Sequence, residues 1–237
     1  MKIKAYAKVN LYLKVQPNKK PNKLHKINSL ITMVEDLYDV IEIKKSSSFG
    51  ITLKTNVSEI NNANNYAFIA AAMFLKFYRL KTGVEIKIIK NIPLGSGLGG
   101  GSSNAISTLN LMAIIFEKKL SPFLIKKVCQ KIGFDSYFFA SNFKSAVVKG
   151  FGQKIMPISV KEKIYKKDLI LSPKINCNTG KVYQKYDEIF DNKFLSDKNS
   201  LTQACLALYP ELLGVYKSHE KIILSGSGST FIKINAD

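Results

Sequence analysis

A chain of 237 residues has the length for one large domain or two compact ones, and 46% apolar with 22% charged residues is the balance of an ordinary globular protein. The longest apolar run, residues 66–75, is too short to cross a bilayer. No secretory h-region opens the chain, and three cysteines with two histidines supply neither a disulfide framework nor a histidine-rich metal centre, which suits a reducing cytosol. The formal charge of +19 would fit a nonspecific nucleic-acid binder, but Arg79 is the only arginine and the lysines are scattered, so a solvated lysine-rich surface is the better reading.

Ile3, Ala5, Ala7, Val9, Leu11, Leu13 and Val15 alternate with Lys4, Tyr6, Lys8, Asn10, Tyr12 and Lys14, which predicts a strand with one buried face. By that pattern alone Lys8 and Asn10 face solvent. A polar loop rich in Pro and Lys follows over residues 16–23 and leads to His25. Residues 31–43 and 49–55 read as strands around a turn at 44–48. Asn65 closes an Asn-rich loop and is placed to cap a buried helix over 66–78. Val84, Ile86 and Ile88 then mark another strand.

Between that strand and a mostly buried helix predicted over 103–116 runs Pro93-Leu94-Gly95-Ser96-Gly97-Leu98-Gly99-Gly100-Gly101-Ser102-Ser103. Glycines let the backbone turn tightly and approach a ligand. The first-turn amides of the helix lack internal partners and carry the positive end of its dipole, so a phosphate fits there. Ser96, Ser102 and Ser103 add hydroxyls for phosphate oxygens or magnesium. A flexible linker is the alternative, but the segment is short and tightly flanked by patterned elements. Gly95-x-Gly97-x-x-Gly100 matches the dinucleotide fingerprint, yet the acidic second strand of that motif is missing. No Lys-Ser/Thr follows the last glycine, so the other familiar phosphate loop does not fit either.

Ser121 and Pro122 open a further helix that ends at Gly133. Asp135, just past it, is a turn former by default. A short strand over 145–148 and a glycine turn over 149–152 follow, so the chain divides into domains 1–150 and 151–237. Residues 168–173 read as a buried strand, and 222–232 as strand, glycine turn and strand.

Residues 92–105 resemble the phosphate loop of the GHMP kinases, with its Pro-x-x-x-Gly-Leu-Gly-Ser-Ser-Ala pattern. The triple glycine before Ser-Ser-Asn-Ala is similar to one branch of that family, whose acceptor is a cytidyl sugar alcohol. Residues 6–13, Tyr-Ala-Lys-Val-Asn-Leu-Tyr-Leu, resemble the family's opening motif, with Tyr6 in place of Pro. His25 matches the family's Tyr-His, with Leu24 for the aromatic and Lys23 for the preceding Gly. Asn65 matches its Asp-Asn-Leu element, and Asp135 its Gly-x-Asp-x-Pro-Phe, with Tyr137 for Pro. Thr179 and Tyr183 match Ser-Thr-x-x-Val-Phe/Tyr, although Tyr183 is equally an ordinary surface aromatic. Residues 197–201 match an Asn-Asp-Leu element with Ser200 for Asp, and Ser225 to Thr230 match Ser-Gly-Ser-Gly-Ser-Thr.

The resemblance covers nearly the whole chain in one motif order. It implies an α+β, two-domain GHMP kinase fold, each domain a mixed or antiparallel sheet packed against helices, with the active site in the interdomain cleft. It implies a cytoplasmic kinase, a monomer or weak homodimer with no nucleic-acid or membrane partner, using ATP and Mg2+ to phosphorylate the 2-hydroxyl of a cytidyl sugar alcohol on the methylerythritol phosphate route to isoprenoid precursors. Lys8 and Asp135 become catalytic, Pro93 to Ser103 with Asn65 hold ATP, and Asn10, His25, Thr179 and Tyr183 contact the acceptor. A homoserine or mevalonate type of GHMP kinase, a non-catalytic member of the fold, and a basic nucleic-acid binder are the rival readings.

Overall fold

The computed structural model describes residues 1–18, 24–172, 174–190 and 197–234. The expected loop at 16–23 is described only as far as residue 18, and Lys23 and Pro173 lie outside the described residues. In chain order the elements are β1 (Lys2–Val15), β2 (Ile27–Ser46), β3 (Gly50–Thr55), α1 (Tyr66–Phe77), β4 (Gly83–Ile89), α2 (Gly100–Ile115), α3 (Pro122–Ile132), α4 (Asp135–Ala140), β5 (Ser145–Gly150), β6 (Lys154–Pro157), β7 (Leu169–Ile170), α5 (Thr179–Ile189), α6 (Thr202–Leu208), α7 (Leu213–Lys217), β8 (Ile222–Leu224) and β9 (Phe231–Lys233). Strands and helices segregate into sheets with helices packed on them, an α+β arrangement in two compact units.

The first unit comprises Met1–Ala7, Leu37–Ile92 and Gly99–Asn142. Here β2 pairs antiparallel with β4 from Val40 opposite Ile89 to Ser46 opposite Gly83, and β4 pairs in parallel with β3. Ile41, Ile43, Val84, Ile86 and Ile88 alternate inward along these strands. Helix α1 begins where Asn65 accepts a hydrogen bond from the Ala67 amide at 2.9 Å. It packs on α2, and of its buried residues Ala67, Ala70, Ala71 and Phe74 the three alanines are small enough to let the axes approach. Pro122 starts α3 and Gly133, at φ 142°, ends it.

The second unit comprises Lys8–Asp36, Pro93–Leu98 and Phe143–Asp237. The early half of β2 pairs with β5, which pairs with β6, and a separate antiparallel sheet runs β7-β9-β8. Its core gathers Leu13, Val15, Val182, Tyr186, Leu201, Leu224 and Phe231. The division placed after residue 150 falls inside this unit. The long strands β1 and β2 each supply residues to both units, and the chain returns to each more than once.

Several local expectations change. Helix α2 starts three residues earlier than the apolar pattern suggests, because glycines occupy its first turn. Asp135 does not form a turn but opens the six-residue α4. The strand expected over 168–173 shrinks to Leu169–Ile170, since Lys166–Asp168 closes a 3-10 turn in which Asp168 accepts from the Tyr165 amide. Lys8 and Asn10, solvent-facing by alternation, are only 2% and 3% exposed. The outer face of β1 is covered there by two glycine-rich segments.

Candidate active site

Three glycines of the 93–103 segment take left-handed conformations that residues with a Cβ rarely adopt: Gly95, Gly97 and Gly99 have φ of 56°, 74° and 68°. The last of these is the N-cap of α2, and no side chain caps that helix, so its first-turn amides are left for an anion. Ser102 and Ser103 stand in this first turn, both buried.

Within the second unit, the part of the segment up to Leu98 is held from behind. Lys8 donates its amide to the Leu98 carbonyl at 3.0 Å, and its ammonium to Gly97 O at 2.8 Å and Asn10 Oδ1 at 2.6 Å. Asn10 Nδ2 in turn donates to Ser29 Oγ, and Ser29 Oγ to the Tyr12 carbonyl. The turn between β8 and β9 closes on the same segment: Ser225 Oγ donates to Gly97 O at 3.2 Å, and the Thr230 amide to Ser96 O at 3.2 Å. A Cβ on Gly97 would lie 2.1 Å from the Ser225 carbonyl oxygen, so only glycine fits. Cys177 donates its amide to Gly95 O at 3.0 Å, and its sulfur lies 3.9 Å from that of Cys205. The Cys205 hydrogen bond pulls the Cys177 thiol down while pushing Cys205 up.

In the first unit, Asp39 fixes the approach to the segment. Fully buried, it accepts from the amides of Asn91 at 2.7 Å and Ile92 at 2.9 Å, and from the Lys90 ammonium. Sequence reasoning missed this pair. Its signal was there: Asp39 stands on the inward face of β2, between Leu37 and Ile41. Asp135 belongs to the same unit, on α4, which packs against α2 and α3. Asn65 spends its side-chain oxygen on capping α1, and its Nδ2 on the Ile60 carbonyl.

Of the expected acceptor contacts, His25 and Tyr183 come together, with ring centroids 4.9 Å apart. His25 Nε2 lies 2.8 and 2.9 Å from the two carboxylate oxygens of Asp187. Tyr186, one residue before Asp187, donates to the Val15 carbonyl at 2.8 Å, and burial pushes its phenol up to about 12. His25 lines an open cavity of about 560 Å³ with Gln16, Pro17, Asn18, Leu24, Lys26 and Phe151. Thr179 opens α5, its hydroxyl 2.9 Å from that of Ser227 in the β8–β9 turn. Among the described residues no group of three or more His, Cys, Asp or Glu could hold a metal ion, and no helix is long and apolar enough to cross a membrane.

A glycine segment running into an uncapped helix, with a buried lysine behind it, is what phosphoryl transfer asks of a protein: positioning and charge stabilisation. The family model described as GHMP kinases N terminal domain matches residues 65–142. The chain belongs to the GHMP kinases, and it is an ATP-dependent small-molecule kinase of that family. Within the family it is closely related to 4-diphosphocytidyl-2-C-methyl-D-erythritol kinases. Those of Ureaplasma parvum and Ureaplasma urealyticum are 30% and 32% identical to it, the alignments covering 99% of this chain and 95% of each relative. A crystal structure of a 4-(cytidine 5'-diphospho)-2C-methyl-D-erythritol kinase shares the fold with a TM-score of 0.77 at 24% identity, covering 99% of this chain and 90% of that one.

Proposed function

We propose that this kinase transfers the γ-phosphate of ATP to the tertiary 2-hydroxyl of 4-diphosphocytidyl-2-C-methyl-D-erythritol, in the methylerythritol phosphate route to isoprenoid precursors. The observation that carries the choice of acceptor is the pairing of Tyr183 with His25, which itself lines a cavity of about 560 Å³. An aromatic ring and an imidazole suit a nucleobase, which homoserine and mevalonate lack.

In this reading the amides from Gly95 to Ser103 cradle the ATP phosphates. Lys8 stabilises the charge that gathers on the transferring group. Asp135 orients the acceptor hydroxyl and takes its proton late in transfer, as the high pKa of a tertiary alcohol requires. Asn10 fixes the Lys8 ammonium and contacts the acceptor, while Thr179 stands near the acceptor's polar end. Magnesium neutralises phosphate charge when bound. The donor set suits an ion that arrives on ATP's own oxygens, with the hydroxyls of Ser102 and Ser103 as the protein's contribution.

The test is ADP release from purified protein with ATP, magnesium and one acceptor at a time. The cytidyl sugar alcohol should release ADP and gain one phosphate by mass. Release with mevalonate or homoserine instead would replace this reading with the corresponding rival.

A further inference from the structure

We infer that Cys177 and Cys205 form a redox switch beneath the glycine segment: a hydroperoxide joins them as a disulfide, and the oxidised protein holds ATP less tightly than the reduced one. The inference rests on the reading above that this segment cradles the ATP phosphates.

The two sulfurs are 3.9 Å apart, in residues 3% and 0% exposed, and no other cysteine belongs to their unit. The two partners are held differently. Cys205 stands inside α6, its amide donating to the Leu201 carbonyl and its carbonyl accepting from the Tyr209 amide, both at 2.9 Å. Cys177 belongs to no helix or strand and lies between exposed Asn176 and Asn178. The Asn178 amide donates to the Tyr209 hydroxyl at 2.8 Å, which keeps this stretch against the end of α6. A disulfide needs its sulfurs about 2.05 Å apart, so the pair must close by about 1.9 Å, and Cys177 is the partner free to move.

What it moves is the glycine segment. The Cys177 amide donates to Gly95 O at 3.0 Å, and a Cβ on Gly95 would lie 1.6 Å from Asn176 Oδ1. A second contact runs through the turn between β8 and β9. A Cβ on Gly228 would lie 2.7 Å from Cys205 Sγ and 3.3 Å from Cys177 Sγ, and one on Gly97 would lie 2.9 Å from the Gly228 carbonyl oxygen. The turn is packed between the sulfurs and Gly97 with no slack, so closing the pair shifts the backbone at both Gly95 and Gly97.

Cys177 reacts first, being nearer to solvent and having its thiol pulled down by the hydrogen bond with Cys205. Its thiolate takes the terminal oxygen of the hydroperoxide: an S–O bond forms, the O–O bond breaks, and the leaving oxygen gains a proton as alcohol, or as water from hydrogen peroxide. The Cys205 sulfur then attacks the Cys177 sulfenic acid. The S–S bond forms, the S–O bond breaks, and hydroxide leaves with the Cys205 proton as water. Two thiols lose two electrons and the peroxide gains them. Burial pushes the Cys129 thiol up to about 12, which keeps it out of this chemistry.

The experiment is titration of a non-hydrolysable ATP analogue into the full chain, reduced and after hydrogen peroxide, with free thiols counted and peptide masses read. The reduced protein should show three thiols. The oxidised protein should show one, with the peptides of Cys177 and Cys205 joined and two hydrogens lighter, and should bind the analogue about tenfold more weakly. Dithiothreitol should restore both readings. Cys205→Ala, treated alike, should keep the reduced protein's affinity. Three thiols surviving the peroxide, or a joined pair with unchanged affinity, overturns the switch and leaves the segment's role standing. So does an equal loss of affinity in Cys205→Ala or, should that variant not fold, a loss in the wild type that dithiothreitol does not reverse. If the reduced protein does not bind the analogue, the reading of the segment fails and the switch with it.

Discussion

The Lys8 ammonium and the Gly97 carbonyl, 89 residues apart in sequence, meet at 2.8 Å. A cation therefore sits directly under the glycine segment, and the group that holds the backbone in place is the same one that carries charge. Lys8→Met keeps the length and removes the charge, leaving the Gly97 carbonyl and the Asn10 amide oxygen without this donor. Turnover should fall ~100-fold or more, with ATP binding weakened as well because the segment loses a support. Steady-state kinetics with ATP titration separates the two effects.

Asp135 should behave differently. Asp135→Ala should lower turnover ~100-fold or more while ATP affinity stays nearly intact, because a proton acceptor for the alcohol does not touch the nucleotide. Unchanged turnover would remove Asp135 from the chemistry.

Gly97→Ala tests the packing of the segment. A φ of 74° costs a residue with Cβ about 1–2 kcal/mol, and the new methyl would meet the Ser225 carbonyl at 2.1 Å. Both the melting temperature and ATP affinity should drop. Gly133→Ala, also at positive φ but with open space around its Cβ, should lower stability alone.

Asp39 and Lys90 form a buried pair, with 0% and 4% side-chain exposure. Asp39→Ala strands the ammonium and two backbone amides, and should cost about 3–5 kcal/mol in urea unfolding. Replacing both as Asp39→Leu with Lys90→Met should cost much less, since no charge is then left buried.

The Tyr186 phenol ionises about two units above the ordinary tyrosine value near 10. A group whose folded pKa is raised gives stability that is complete below about pH 10 and is lost as pH rises through 12. Absorbance titration should show a late tyrosine step that is missing in Tyr186→Phe.

Much of this was legible in the chain itself. The glycine segment, its flanking strand and helix, the Asn65 cap and the Pro122 and Gly133 boundaries follow from local chemistry, and local chemistry is what a sequence displays. Lys8 and Asn10 were singled out only by family resemblance, because period-two alternation places them outside. It cannot register that the second face of a strand is covered by turns more than 80 and 200 residues away. Asp39 was missed for the same reason: its partners are distant in sequence, and a single carboxylate carries no pattern. Helix α5 was missed because it has only two fully buried residues, Val182 and Tyr186, too few to show a helical stripe.

The hairpin formed by β8 and β9 reaches back to Ser96 and Gly97, so the glycine segment cannot take its final shape until residues 225–230 have been made. During synthesis on the ribosome, more than half of the polypeptide would emerge after the glycines do. Throughout that interval the segment has Lys8 behind it but lacks the hairpin's contacts to Ser96 and Gly97, so its full support arrives late, with the closing hairpin.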